Sequence, residues 1–183
     1  MAFVKRRVKF LTVMTLAVLL FSGLAFAFFL SSSHQAAQAL NGGSKDGLKA
    51  SLDGFQQVPS ILTDGTGTFR AKISEDSTSI SYTLTYSGLS SSVTAAHIHF
   101  AQPGVNGGVI AFLCGGGGKP ACPPSGGTVT GIITAADILA VSGQGITAGD
   151  FAGAVRAIES GNTYVNVHST IYPMGEIRGQ ITV

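Results

Sequence analysis

The chain has 183 residues, with 11 Lys+Arg, 9 Asp+Glu, four histidines, two cysteines and no tryptophan. That length suits one domain behind an N-terminal segment. Lys5, Arg6, Arg7 and Lys9 cluster at the N-terminus, and without them seven cations face nine acids, which excludes the basic stripe that a nucleic-acid surface requires.

An apolar run from Phe10 to Leu30 follows the basic cluster, broken only by Thr12, Thr15, Ser22 and Gly23. A basic start before an apolar run is the pattern of a secretory signal. Small-x-small sites follow at Ala25-Phe26-Ala27 and Ala37-Gln38-Ala39. The expected division is a signal peptide over 1–39 that forms a helix, a linker over 40–47 and a domain over 48–183. The run is also long enough to span a bilayer, so an uncleaved anchor is the alternative. On either reading the domain lies outside the cytoplasm, secreted or in the periplasm or cell envelope. It meets a membrane only through the N-terminal segment, if that is kept. His34 precedes the expected cleavage site and receives no role.

From Leu48 onward, short apolar-alternating runs are separated by Gly, Ser, Asp and Pro, as in an antiparallel sandwich or barrel. The clearest strand is 80–86: Ile80, Tyr82, Leu84 and Tyr86 share one face, and Ser81, Thr83 and Thr85 the other. Period two means one buried and one wet side. Further strands are expected at 48–53, 67–74, 95–100, 108–113, 128–133, 163–168 and 176–183. One short helix is expected after Thr147, where Phe151, Ala154, Val155 and Ile158 recur at helical spacing before Gly161-Asn162. A shorter turn starts at Thr134. Cys114 and Cys122 flank a Gly/Pro-rich loop, and in an oxidising compartment they are expected to form a disulfide. Asn106-Gly107 reads as a hairpin turn. Asp53, Asp64, Glu75 and Asp76 read as turn residues.

Four stretches in order resemble the CHRD domain family, the module named after chordin. They are Leu52-Asp53-Gly54-Phe55-Gln56-Gln57-Val58-Pro59; Ala95-Ala96-His97-Ile98-His99-Phe100 with Gly104-Val105-Asn106-Gly107; Tyr164-Val165-Asn166-Val167-His168-Ser169; and Pro173-Met174-Gly175-Glu176-Ile177-Arg178-Gly179-Gln180. Gln57 stands where the family usually has Glu. The resemblance covers about 48 to 183. It implies an all-β fold, here an antiparallel β-sandwich of the Ig-like or Greek-key type, and no agreed enzymatic activity.

Strand parity suggests where chemistry would reside. His97 and His99 share one strand face; Tyr164, Asn166 and His168 share another; Glu176, Arg178 and Gln180 share a third. If the three strands are neighbours, these side chains converge. Three imidazoles suit Zn or Cu, with Glu176 as a fourth ligand or an orienting partner. The competing reading is a polar cluster in which the histidines hydrogen-bond to backbone and Asn166, while Glu176 and Arg178 are held in charge-assisted bonds. No Gly-x-Ser-x-Gly elbow, Ser-x-x-Lys or lone reactive Cys is present, so no residue is assigned a catalytic role. The first functional expectation is therefore a binding or structural module of the envelope or extracellular space, with a protein, glycan or envelope component as partner. The alternative is a Zn- or Cu-binding protein, with an enzyme as one form of it.

Overall fold

The computed structural model describes residues 47–183. The expected signal peptide and nearly all of the linker lie outside the described residues. Eight strands follow in order: β1 (Leu48–Asp53), β2 (Thr66–Ile73), β3 (Ser79–Ser87), β4 (Val93–Phe100), β5 (Gly108–Cys114), β6 (Gly127–Thr134), β7 (Thr163–Ser169) and β8 (Ile177–Gln180). One α-helix, α1 (Phe151–Glu159), separates β6 from β7. Among these residues no helix is long and apolar enough to cross a membrane.

The strands form one antiparallel sheet in the order β5-β4-β7-β8-β1-β2-β3-β6. The two end strands, β5 and β6, approach one another. Tyr82 Oη on β3 reaches across to donate to Leu113 O on β5 at 2.7 Å. The sheet therefore bends round into a near-barrel, and the expected two-sheet sandwich gives way to it. Period-two patterning is the same in a sandwich and a barrel, so the alternation of residues could not separate them. Across the seam β3, β6, β5 and β4 stand in Greek-key order.

The core fills the inside of this bend. Leu48, Leu52, Phe69, Ile73, Ile80, Leu84, Ile98, Leu113, Val165, Val167, Ile177 and Ile181 are all buried there. β3 behaves as its alternation demands, with Ile80, Tyr82, Leu84 and Tyr86 buried and Ser81, Thr83 and Thr85 exposed. The helix begins one residue after Asp150, which is itself the cap: its carboxylate accepts from Gly153 N at 2.8 Å. The turn after Thr134 is a short 3-10 helix, Ala135–Asp137, closed by a capping box. Cys114 and Cys122 are joined by a disulfide.

β7 departs from half-burial, since all seven of its residues are buried. Thr163, Val165, Val167 and Ser169 share the core face, and Tyr164, Asn166 and His168 share the outer one. The outer face is polar by composition, yet three loops close over it: 54–65, 101–107 and 170–175. Gln57 Nε2 donates to Asn166 Oδ1 at 2.7 Å, Gly107 N donates to Tyr164 Oη at 3.2 Å, and Asn166 Nδ2 donates to Met174 O at 3.2 Å. Asn106 Nδ2 ties the first two loops together by donating to Val58 O at 2.9 Å. The candidate site lies in this second, polar core.

Candidate metal centre

Register puts the expected polar residues in rungs across three strands. His97 on β4 faces Asn166 on β7, which faces Arg178 on β8. The next rung is His99, Tyr164 and Gln180, and His168 lies opposite Ala95. Paired residues in an antiparallel ladder point to the same face, so all three imidazoles emerge together. Ala95 leaves His168 room to lean toward its diagonal neighbour His97. The two rings have centroids 4.7 Å apart, and His97 Nδ1 lies 3.0 Å from His168 Nε2.

One ligand-type nitrogen from each of His97, His99 and His168 falls within 4.8 Å of the other two. The remaining ring nitrogens are oriented by backbone. His99 Nδ1 sits 3.0 Å from Gly107 O, and His168 Nδ1 sits 3.0 Å from Pro173 O. A carbonyl can only accept, so both Nδ1 atoms carry the proton and both Nε2 atoms present a lone pair. Metal-bound histidines are oriented in this way. His168 Nε2 then accepts from His97 Nδ1–H, which leaves His97 Nε2 and His99 Nε2 buried with no hydrogen-bond partner. Each such orphan costs about 1–3 kcal/mol.

Burial sets the charge state. It pushes the His97 imidazole down to about 3, with His168 and His99 adding to the effect. It pushes His99 down to about 4; the bond to Gly107 opposes this, while His168 and Arg178 reinforce it. His168 is lowered by the same loss of water against the opposing pull of Pro173. All three rings are neutral at physiological pH, the form that binds metal.

The site is walled by rings. Phe112 on β5 meets His97 edge-on at 4.4 Å, and Tyr164 stacks on His99 at 4.8 Å with the planes 10° apart. β4 and β8 flank β7, so Tyr164 stands between His99 and Arg178, whose guanidinium carbon is 3.5 Å from its ring centroid. The Arg178 edge donates to Val105 O at 2.9 Å, Asn106 Oδ1 at 3.3 Å and Gln102 O at 3.4 Å. Asn166 bridges loops and does not bond the histidines.

Glu176 does not join this group. Its Oε1 accepts from Thr63 Oγ1 at 2.7 Å, Ser90 N at 2.7 Å and Ser90 Oγ at 2.8 Å, and its Oε2 accepts from Ser169 Oγ at 2.5 Å. Ser169 lies on the face of β7 opposite His168. Burial works to raise the Glu176 carboxyl, and these donors outweigh it and hold it below the usual range. The fourth-ligand expectation is thereby corrected, and Glu176 and Arg178 form no charge-assisted pair. The carboxylate ties the 54–65 loop and the β3–β4 turn to β7.

The acceptors Gly107 O and Pro173 O and the wall residue Phe112 were missed in the sequence. Gly107 lies within the second resembling stretch, but its pattern read as a hairpin turn. Its φ is not positive; a Cβ there would meet Phe100 O at 1.8 Å, so close approach is what requires glycine.

No curated protein and no solved structure matches the chain. The family model of the CHRD domain matches residues 48–181, which takes in every strand and all the residues of this site, and the chain belongs to the CHRD domain family.

Proposed function

We propose that this CHRD domain is an extracytoplasmic binding module whose ligand is a zinc or copper ion held by His97, His99 and His168. The observation that carries this is the cluster itself: three neutral imidazoles each bring one nitrogen within 4.8 Å of the other two, and His99 Nε2 has no other partner. An ion about 2.0–2.1 Å from each nitrogen sets ligand pairs roughly 3.3 Å apart in tetrahedral geometry. His97 Nδ1 and His168 Nε2, at 3.0 Å, are already near that spacing, and His97 offers Nδ1 as a ligand by carrying its proton on Nε2 instead. Side-chain rotation of at most ~1.5 Å closes the third, and a fourth position stays open to water or an added ligand. A purely structural cluster would leave His99 Nε2 buried and unpaired, which supports metal over architecture alone.

Localisation rests on the basic-then-apolar N-terminus and on the disulfide between Cys114 and Cys122. Mass spectrometry of the exported chain should find a mature end just after Ala39; an intact Met1 would show an anchor instead. The metal is tested by elemental analysis and calorimetry on the purified domain. One equivalent of zinc or copper should bind, and each of His97→Ala, His99→Ala and His168→Ala should weaken binding at least 100-fold while the protein stays folded. No binding, or a triple variant that binds like the parent, overturns the proposal.

A further inference from the structure

A groove lies beside the histidine cluster. Arg178 is only 2% exposed, and a buried cation is costly unless paired with a charge. Yet its partners are two carbonyls, one amide oxygen and the Tyr164 ring. Asp53 stands opposite Arg178 in the β1–β8 register, but its carboxylate accepts from Gln56 N and Gln56 Nε2 and makes no ion pair with the guanidinium. The same side chain lines a groove of about 310 Å³ between the 54–60 segment and the Pro103-Gly104 corner. Gln57, Ser60 and Gln180 supply polar atoms to its walls, and Phe55, Val58 and Pro103 supply apolar surface. Phe55 is 68% exposed, an aromatic ring at the rim with nothing laid over it.

We infer that this groove binds a small organic carboxylate, its anionic head on Arg178 and its hydrocarbon body against Phe55, Val58 and Pro103. Three of its five N–H groups are taken by Val105 O, Gln102 O and Asn106 Oδ1, and the two left over can donate charge-assisted bonds to a carboxylate. The apolar wall favours an acid with a hydrocarbon part over a bare inorganic anion. The volume is at the lower end for small-molecule sites, which fits a short-chain or single-ring acid. The groove needs no metal at the histidines to bind such an acid.

The test is calorimetry and chemical-shift titration of the chelator-treated domain with hexanoate, hexanamide and inorganic phosphate. Hexanoate should bind at least tenfold more tightly than either of the others. Arg178→Lys should lower its affinity at least tenfold. If that variant fails to fold, Phe55→Ala at the rim should weaken binding severalfold, and Ser60→Trp, which fills the groove from an exposed position, should abolish it. Equal binding of hexanamide, or indifference to both rim variants, overturns the inference. Binding that appears only with metal and vanishes in His97→Ala also overturns it, since the acid would then be a ligand of the metal.

Discussion

Replacing Glu176 with alanine removes the acceptor of four hydrogen bonds at once. The Ser169 hydroxyl is fully buried and would lose the acceptor of its proton, keeping only the bond it accepts from Tyr172 N, at a cost of about 1–3 kcal/mol. Thr63 and Ser90 lie nearer solvent and can rehydrate, so their three bonds are worth roughly 0.5–1 kcal/mol each. The expected total is about 2.5–6 kcal/mol, or a fall in Tm of roughly 10–24 °C for a domain of this size. Glutamine can keep a carbonyl toward Ser90 and Thr63 and turn its amide toward the rotatable Ser169 hydroxyl, so Glu176→Gln should cost only about 1–2 kcal/mol. Urea unfolding with chelator present gives both values, and calorimetry with zinc gives the second readout. Zinc affinity should stay within about threefold of the parent for the glutamine variant, because the carboxylate lies on the other side of β7 from the imidazoles. A cost below about 1 kcal/mol for alanine would refute the hydrogen-bond assignment. A tenfold loss of zinc affinity in Glu176→Gln with unchanged stability would return Glu176 to the metal.

Gly107→Ala should push the Gly107 carbonyl off His99 and weaken metal binding about 10–100-fold, read by competition with a chromophoric chelator; parental affinity would show that this carbonyl does not orient the ring. Cys114→Ser with Cys122→Ser opens a short loop and should cost about 2.5 kcal/mol, measured as a shift in the urea midpoint under non-reducing conditions. The metal-free domain should lose stability as pH falls from about 7 to about 5. Unfolded histidines take up protons near 6.5, whereas His97 and His99 stay neutral down to about 3 and about 4. The unfolded chain therefore binds more protons in that window, and stability rises with pH across it. Urea midpoints at several pH values check this, and a flat profile would refute it.

The three histidines were legible because strand alternation is geometric: His97 and His99 had to share a face, and His168 could meet them once β7 lay beside β4. Glu176 was misplaced because the same parity was carried past the end of a strand. β8 begins at Ile177, and Gly175, with φ of +118°, bends the chain just before it. A Cβ at Gly175 would also meet the Asn166 side chain at 2.2 Å, so the corner is pressed against the site. Strand positions were readable to within a residue or two through β7, since turn residues bracket each apolar run. The closing of the sheet was not, because it depends on β5 meeting β6, a contact without a local signature. Nor was the burial of the outer face. Tyr164, Asn166 and His168 look wet by composition and become dry only because distant loops fold over them.

The seam between β5 and β6 has a consequence for behaviour outside the cell's reducing interior. The two strands end the sheet order without a ladder between them, and an unladdered edge invites another chain to add a strand. Here the disulfide loop acts as a stopper. Gly115 N bonds to Pro120 O within it, and Lys119 reaches from it to donate to Ile132 O on β6 at 2.7 Å while pairing with Asp137. A charged side chain thus occupies a position where an incoming strand would dock. Cutting the cystine frees the stopper along with the loop, so reduction should promote strand-to-strand self-association even where most of the fold survives.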